Sequence, residues 1–245
     1  MRGGEATLTN NLPSDTLGAL TAFDLGGAFD TALGAVVQSN PEASRGLQEA
    51  QRQLGLDIRQ DVLSWMHGEA VIAVGPPTTG PRPDFALLVK PTDQAKAQAA
   101  VTKIVGLFQK RGIRLDQKPG PGGSTMYVFP GPVQTGIQPA MALLNDRFIL
   151  ASSTDYLTRL AKGGGGFDGS KSFKDTLGSA EPGTQFQLVL QVSSIRQYIE
   201  GLLTGASRQR YDTEVKPWFD PFSAAGVRVR KDGKLTKIEV KASVK

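Results

Sequence analysis

The stretch from Gly55 to Val74, GLDIRQDVLSWMHGEAVIAV, narrows the possible folds more than any other part of the chain. Asp57 suits an N-cap, because its carboxylate can accept from the orphan amide N–H groups of a first helical turn. Gln60 stands three residues on, where it can reach back to the cap's own N–H. Ile58, Val62, Trp65 and Met66 then recur at i, i+4, i+7 and i+8, which makes one apolar stripe and predicts Trp65 in the interior. Gly68 offers the left-handed conformation that ends a helix. Ala70 to Val74 is continuously apolar and rich in β-branched residues, the pattern of a strand covered on both faces. A helix that stops at a glycine and runs into a buried strand is core-building sequence.

The same period arguments read the rest of the chain. Thr16 to Asp24 is a predicted strand. Gly26 to Val37 is a predicted helix with Phe29, Leu33, Val36 and Val37 on its inner face, and Ala43 to Leu54 a second helix closed by Gly55. Pro76 to Pro83 is a turn and Phe85 to Val89 another buried strand. Thr92 caps a long helix, Asp93 to Arg111, with Val101, Ile104, Val105 and Phe108 inside and Gly112 at its end. Ile113 to Leu115 and Met126 to Phe129 read as short strands about a mobile Pro/Gly loop, and Met141 to Leu144 with Phe148 to Ala151 as a hairpin. Asp155 to Ala161 and Ser172 to Leu177 read as helices.

Phe186, Leu188, Leu190 and Val192 alternate with Gln187 and Gln191, a strand with one wet face. Ile195, Tyr198, Ile199, Leu202 and Leu203 make an amphipathic helix. The end is a hairpin: Val227 to Arg230, an Asp232-Gly233 turn, and Leu235 to Val244. Ile238, Val240, Ala242 and Val244 are expected to face in, and Lys237, Glu239, Lys241 and Ser243 out. Several strand links are too short for a parallel crossover. The expectation is a single α+β domain over residues 1–245, with a mostly antiparallel sheet and helices packed on one face. The order strand, helix, strand pair recurs loosely in the two halves, without a strict sequence repeat.

Composition excludes several functions. Cysteine is absent, which removes disulfides, thiolate nucleophiles and thiolate metal ligands together. No run approaches the roughly 18 apolar residues that span a bilayer, and MRGGEATLTNN has no apolar core of a signal peptide. A net charge of +5 is a small excess of 28 basic over 23 acidic residues, so nucleic acid is not expected as a partner.

No stretch carries a catalytic motif. His67 is the single histidine and sits where a cation suits a helix end. Gly164, Gly166 and Gly169 match G-x-G-x-x-G, but they come after a predicted helix where a dinucleotide site needs a strand, so they read as a flexible connector. GSKS has Ser170 where a phosphate loop needs lysine. No acidic cluster has metal-ligand spacing. Neither catalytic residues, nor a metal, nor a cofactor are expected. The best candidate surface is RQRYDTEVKPWFDPF, Arg208 to Phe222, where Tyr211, Trp218, Phe219 and Phe222 crowd among cations. The competing reading closes the core with those rings.

Four pieces carry a resemblance: LPSDTLGAL, the Gly55–Val74 segment, PDFALLVKPTDQAKAQAAVTKIV and MALLNDRFILASSTDYL. With these in order along most of its length, the chain resembles the later half of the bacterial domain-of-unknown-function family 3352. That resemblance implies the extracytoplasmic part of a longer, membrane-anchored protein at the cell envelope, with membrane contact only through an anchor absent from this chain. It offers no catalytic residues.

The expected function is therefore a non-enzymatic domain that binds a protein or envelope component, or serves the envelope structurally. The alternative is a carrier of a hydrophobic or lipid ligand in a cavity between sheet and helices, and an enzyme is the weakest reading. A large apolar cavity would favour the carrier, and a filled core the interaction domain.

Overall fold

The computed structural model describes residues 6–131 and 137–245; the first five residues of the opening segment lie outside them. The strands are β1 (Gly18–Phe23), β2 (Glu69–Gly75), β3 (Asp84–Val89), β4 (Asp116–Pro119), β5 (Thr125–Val128), β6 (Ala140–Leu143), β7 (Phe148–Ala151), β8 (Thr184–Leu190), β9 (Phe222–Asp232) and β10 (Leu235–Val244). The helices are α1 (Leu25–Ser39), α2 (Pro41–Leu54), α3 (Gln94–Lys110), α4 (Thr154–Lys162), α5 (Lys171–Thr176), α6 (Val192–Leu202), α7 (Gly205–Arg210) and α8 (Lys216–Phe219). All ten strands join one antiparallel sheet in the order β10-β9-β8-β1-β2-β3-β7-β6-β5-β4. The α+β class and the antiparallel sheet are as the sequence predicts.

Alternate residues of the strands build two different cores. On the first face Val71, Ala73, Ala86, Leu88, Ile149 and Val189 pack under α4, α5 and the short 3-10 turn Leu8–Asn11. On the second face Ala70, Val89, Met141 and Phe148 pack under α3 and Trp65. Helices thus lie on both faces of the sheet, where one was expected. The cause is the chain path: α3 carries β3 to the far edge over one face, and α4 and α5 carry β7 back to β8 over the other.

The Gly55–Val74 segment folds differently in detail. The Asp57 carboxylate accepts from Arg59 N–H at 2.8 Å and Gln60 N–H at 3.0 Å, as an N-cap should. The cap opens onto a π turn (Ile58–Val62) and a 3-10 turn (Leu63–Trp65), not an α-helix. The carboxylate of Asp61, rather than Gln60, takes the cap's own N–H at 2.7 Å. These turns set the Trp65 ring edge-on to Phe148, 5.6 Å between centroids, while its Nε1 donates to the Asp61 carbonyl at 3.1 Å. Trp65 is 3% exposed. Gly68 is not left-handed. It is glycine because its backbone lies against the Lys90 carbonyl, where a Cβ would collide.

Other expectations also change. Asp93 caps α3, accepting from Lys96 N–H at 3.0 Å, while Thr92 donates its hydroxyl to the Trp65 carbonyl. Ile113 to Leu115 stays outside the sheet, which resumes at Asp116. The glycine run after α4 is pinned instead of loose. Gly165 N–H donates to Asn10, Phe167 N–H donates to Leu12, and Phe167 is fully buried. Phe29 and Val36 of α1, expected inside, stand outside.

The loose recurrence of strand, helix and strand pair is a real architectural repeat. A π turn precedes a hairpin in each half, Ile58–Val62 before β2–β3 and Tyr211–Val215 before β9–β10. Trp65 and Trp218 each stand three residues past their turn, and β2 and β9 each open four residues further on. The two units meet at the β1–β8 pair.

Candidate binding cleft

The middle of the second face is left uncovered. Leu20 of β1, Ile72 and Val74 of β2, and Leu188 and Leu190 of β8 point into open space there. Ile72, read as interior to a strand covered on both faces, is 46% exposed, and Phe85 is exposed beside it. Helix α6 arches over one end of this surface. Its Ile195, Tyr198 and Ile199 face the strands, and the Tyr198 hydroxyl donates to the Pro81 carbonyl at 2.6 Å, which ties α6 to the β2–β3 loop. Strands and helix together enclose an open cleft of about 370 Å³.

The first face makes its own demand on β8, β9 and β10. Arg228 is 1% exposed and points there. Its Nε donates to the Gln187 side-chain amide oxygen at 2.9 Å, one Nη to the Ser179 carbonyl at 2.9 Å and to the Leu177 carbonyl, and the other Nη to the Glu181 carboxylate. Gln187 in turn donates to Gly178 at 2.7 Å. Gln191 is buried as well, donating to the Ser14 carbonyl at 3.0 Å.

A buried guanidinium is tolerable only when its donors are all met, so the polar side of these strands turns inward. The predicted wet face of β8 is therefore the buried one, and Phe186 is exposed. The final hairpin departs in another way: β10 is the edge strand and is exposed on both sides, so Lys237 and Lys241 stand out as expected but the apolar set does too. Ile238 and Val240, expected to face in, are 69% and 71% exposed, and Val244 is exposed too, whereas Ser243 is buried.

The titratable groups read as structural ties. Glu69 lies on the packed face and accepts from Thr7 N–H at 2.7 Å, Leu8 N–H at 3.0 Å and the Thr7 hydroxyl at 3.0 Å. Burial pushes its carboxyl above the usual range, against those hydrogen bonds. Asp84, on the same face, accepts from the N–H and hydroxyl of Thr78 and from Ser152. Burial pushes the Tyr156 phenol well above its ordinary value, which leaves it a poor proton shuttle. His67 Nδ1 faces the Asp24 carboxylate at 2.7 Å, and Asp24 accepts from Gly27 N–H as the cap of α1. No group of three or more His, Cys, Asp or Glu among the described residues is placed to hold a metal ion, and no helix there is long and apolar enough to cross a membrane.

The four aromatics singled out in the sequence part company. Trp218, 76% exposed, and Phe219 stand out from α8. Phe222 is half-buried at the start of β9. Tyr211 is buried in the second π turn. The cleft residues were visible in the sequence as two facing apolar stripes, Leu188/Leu190 and Ile195/Ile199, and both read as core.

A ten-stranded antiparallel sheet with helices on both faces defines the class of this protein. The chain belongs to the family described as Protein of unknown function (DUF3352), whose model matches residues 4–240. No curated protein matches it. Among solved structures it is similar to TP0453 at 10% sequence identity in each of two crystal forms. Form I gives a TM-score of 0.46 over 98% of this chain and 79% of that one. Form III gives 0.45 over 98% and 80%.

Proposed function

We propose that this is a non-enzymatic domain of the cell envelope, held outside the cytoplasmic membrane, that binds the hydrocarbon part of an amphiphile between its sheet and α6. The cleft carries the reading. Its lining includes no charged and no amide side chain, and its one hydroxyl, on Tyr198, is already engaged with Pro81. A polar ligand would lose its water there and find no partner. An aliphatic chain would gain about 25 cal/mol for each Å² it hides. A volume of about 370 Å³ falls within the size range of ligand sites, roughly 300–1,000 Å³. It is more than twice the dry cavity of about 150 Å³ that takes benzene. The reading as non-enzymatic rests on the buried carboxylates: Glu69 and Asp84 are bound up in hydrogen bonds on the opposite face of the sheet from the cleft. The envelope location rests on what the resemblance read from the sequence implies.

Titration with a fluorescent fatty acid tests the reading, with mass spectrometry of an organic extract of the purified protein as a second arm. The expected result is saturable uptake that Ile72→Asp weakens by at least about tenfold, because a carboxylate then stands among hydrocarbon. Ile72 is exposed enough that the variant should fold normally. No uptake, or uptake unchanged in a folded Ile72→Asp variant, would overturn the proposal.

A further inference from the structure

The net charge of the chain has one address. Of its 28 basic and 23 acidic residues, positions 222 to 245 hold seven and two, which leaves the rest of the chain balanced. Those positions are the β9–β10 hairpin. It also presents exposed aliphatic surface, with Ile238 and Val240 standing out on one face beside half-buried Val227 and buried Val229. Lys231 comes next on that same face, opposite Thr236, and Lys234 stands in the turn. Neither lysine forms an ion pair among the described residues. At the other end the Lys245 N–H donates to the Pro221 carbonyl at 2.9 Å, which sets Val244 beside the segment that carries Trp218 and Phe219.

The two units of the repeat differ at this place. In the first unit Trp65 is buried beneath α3, with Ala97, Ala100 and Val101 against it and its neighbours. In the second unit Trp218, at the matching position, has no such helix over it.

We propose that Trp218, Phe219 and the outward face of the β9–β10 hairpin dock this domain on an anionic lipid surface. The partner is negative, because the hairpin's other five cations are ion-paired, while Lys231 on this face and Lys234 in the turn beside it have no ion pair among the described residues. It must also accept apolar side chains that protrude from a helix and a strand. A lipid interface does both: tryptophan settles at headgroup level at one end of the hairpin, and Lys231 and Lys234 at the other end meet the phosphates. A second copy of the chain is the poorer occupant, since edge-to-edge pairing of β10 would bring two hairpins of like net charge together. The contact is distinct from any anchor. It stands whether or not the cleft takes a ligand.

Sedimentation of the purified chain with vesicles tests it, comparing phosphatidylcholine alone with phosphatidylcholine mixed with phosphatidylglycerol. Binding to the anionic vesicles is expected to be at least about tenfold tighter and to fade at high salt. Replacing Lys231 and Lys234 together by glutamine is expected to weaken it about twenty-fivefold, at roughly fivefold per charge. Trp218 emission should shift to shorter wavelength on binding, with buried Trp65 as a constant background, and Trp218→Phe should abolish the shift. Equal binding to both vesicles, no binding to either, or lysine variants that bind as before would overturn the proposal. So would an analytical ultracentrifuge run in which the chain dimerises and the same substitutions dissolve the dimer.

Discussion

Two tryptophans at matching places in two units have opposite surroundings, and their substitution should separate packing from surface. Trp65 is enclosed by α3 and Phe148. Trp65→Ala is expected to cost about 3–5 kcal/mol, read by chemical denaturation. Trp218→Ala should move stability by no more than about 0.5 kcal/mol, as exposed positions do. A large loss at Trp218 would mean that its ring is covered in solution. Arg228 belongs with Trp65. Arg228→Ala strands Gln187 and the inner end of the Glu181 carboxylate, and about 3 kcal/mol is the expected loss. Equal stability of that variant at neutral pH would show that water replaces the guanidinium. His67, by contrast, braces the α1 cap from an exposed position. His67→Gln should leave ligand uptake unchanged in the fatty-acid titration.

At the scale of elements, the existence and type of most pieces were legible, because period and caps are local. Helices α2 and α3 end where Gly55 and Gly112 turn left-handed, and the antiparallel links result from their lengths. The side that each strand shows to the core was not legible. Alternation along β8 gives a two-residue period but does not say which set is inside, and the buried network of Arg228 with Gln187 chose the polar one, whereas β10, at the edge, buries neither set beyond Ser243. The π turn at Ile58–Val62 escaped for a related reason: its apolar stripe fits α spacing, and the extra residue per turn is visible only in what Trp65 must reach.

The candidate cleft was missed because an apolar stripe facing an apolar strand reads as core until something fails to fill the gap. Glycine roles divide likewise. Gly68→Ala should cost about 1–3 kcal/mol in urea unfolding, because its Cβ meets the Lys90 carbonyl. Gly106 in α3 has nothing near its missing Cβ, so Gly106→Ala should add about 0.5–1 kcal/mol. Equal effects at the two sites would contradict the close approach at Gly68.

For the whole molecule, the sheet divides labour between its faces. One is filled, polar where Arg228 and Glu69 need it and otherwise apolar. The other is covered over β3, β7 and β6 by α3, and open over β1, β2 and β8. Two carboxylates tie chain ends to this frame, and their pH signatures have opposite sign. Glu69 holds the opening 3-10 turn to β2, and its pKa is raised above the ordinary value of 4.5, chiefly by burial. The folded state therefore keeps a proton longer than the unfolded one, and Glu69's contribution declines as pH rises from 4.5 through the raised value.

Asp220 joins α8 to Lys245 and Arg196, and their hydrogen bonds hold its pKa at about 2 against an ordinary 3.8. Its contribution is present above 3.8 and is lost as pH falls through about 2, and solvent keeps it small. Melting temperature measured from pH 2 to 8 should accordingly rise between about 2 and 4 and then lose part of that gain above 4.5. Glu69→Gln should flatten the descending limb and leave the acid limb alone. Asp220→Asn should reduce the acid limb, which Asp61, Asp232 and Glu239 share because lysine hydrogen bonds hold them low too, and leave the descending limb alone. If Glu69→Gln left the descending limb intact, that carboxylate would be relaxed in solution, and the opening turn would not be held against the sheet as the hydrogen bonds from Thr7 and Leu8 require.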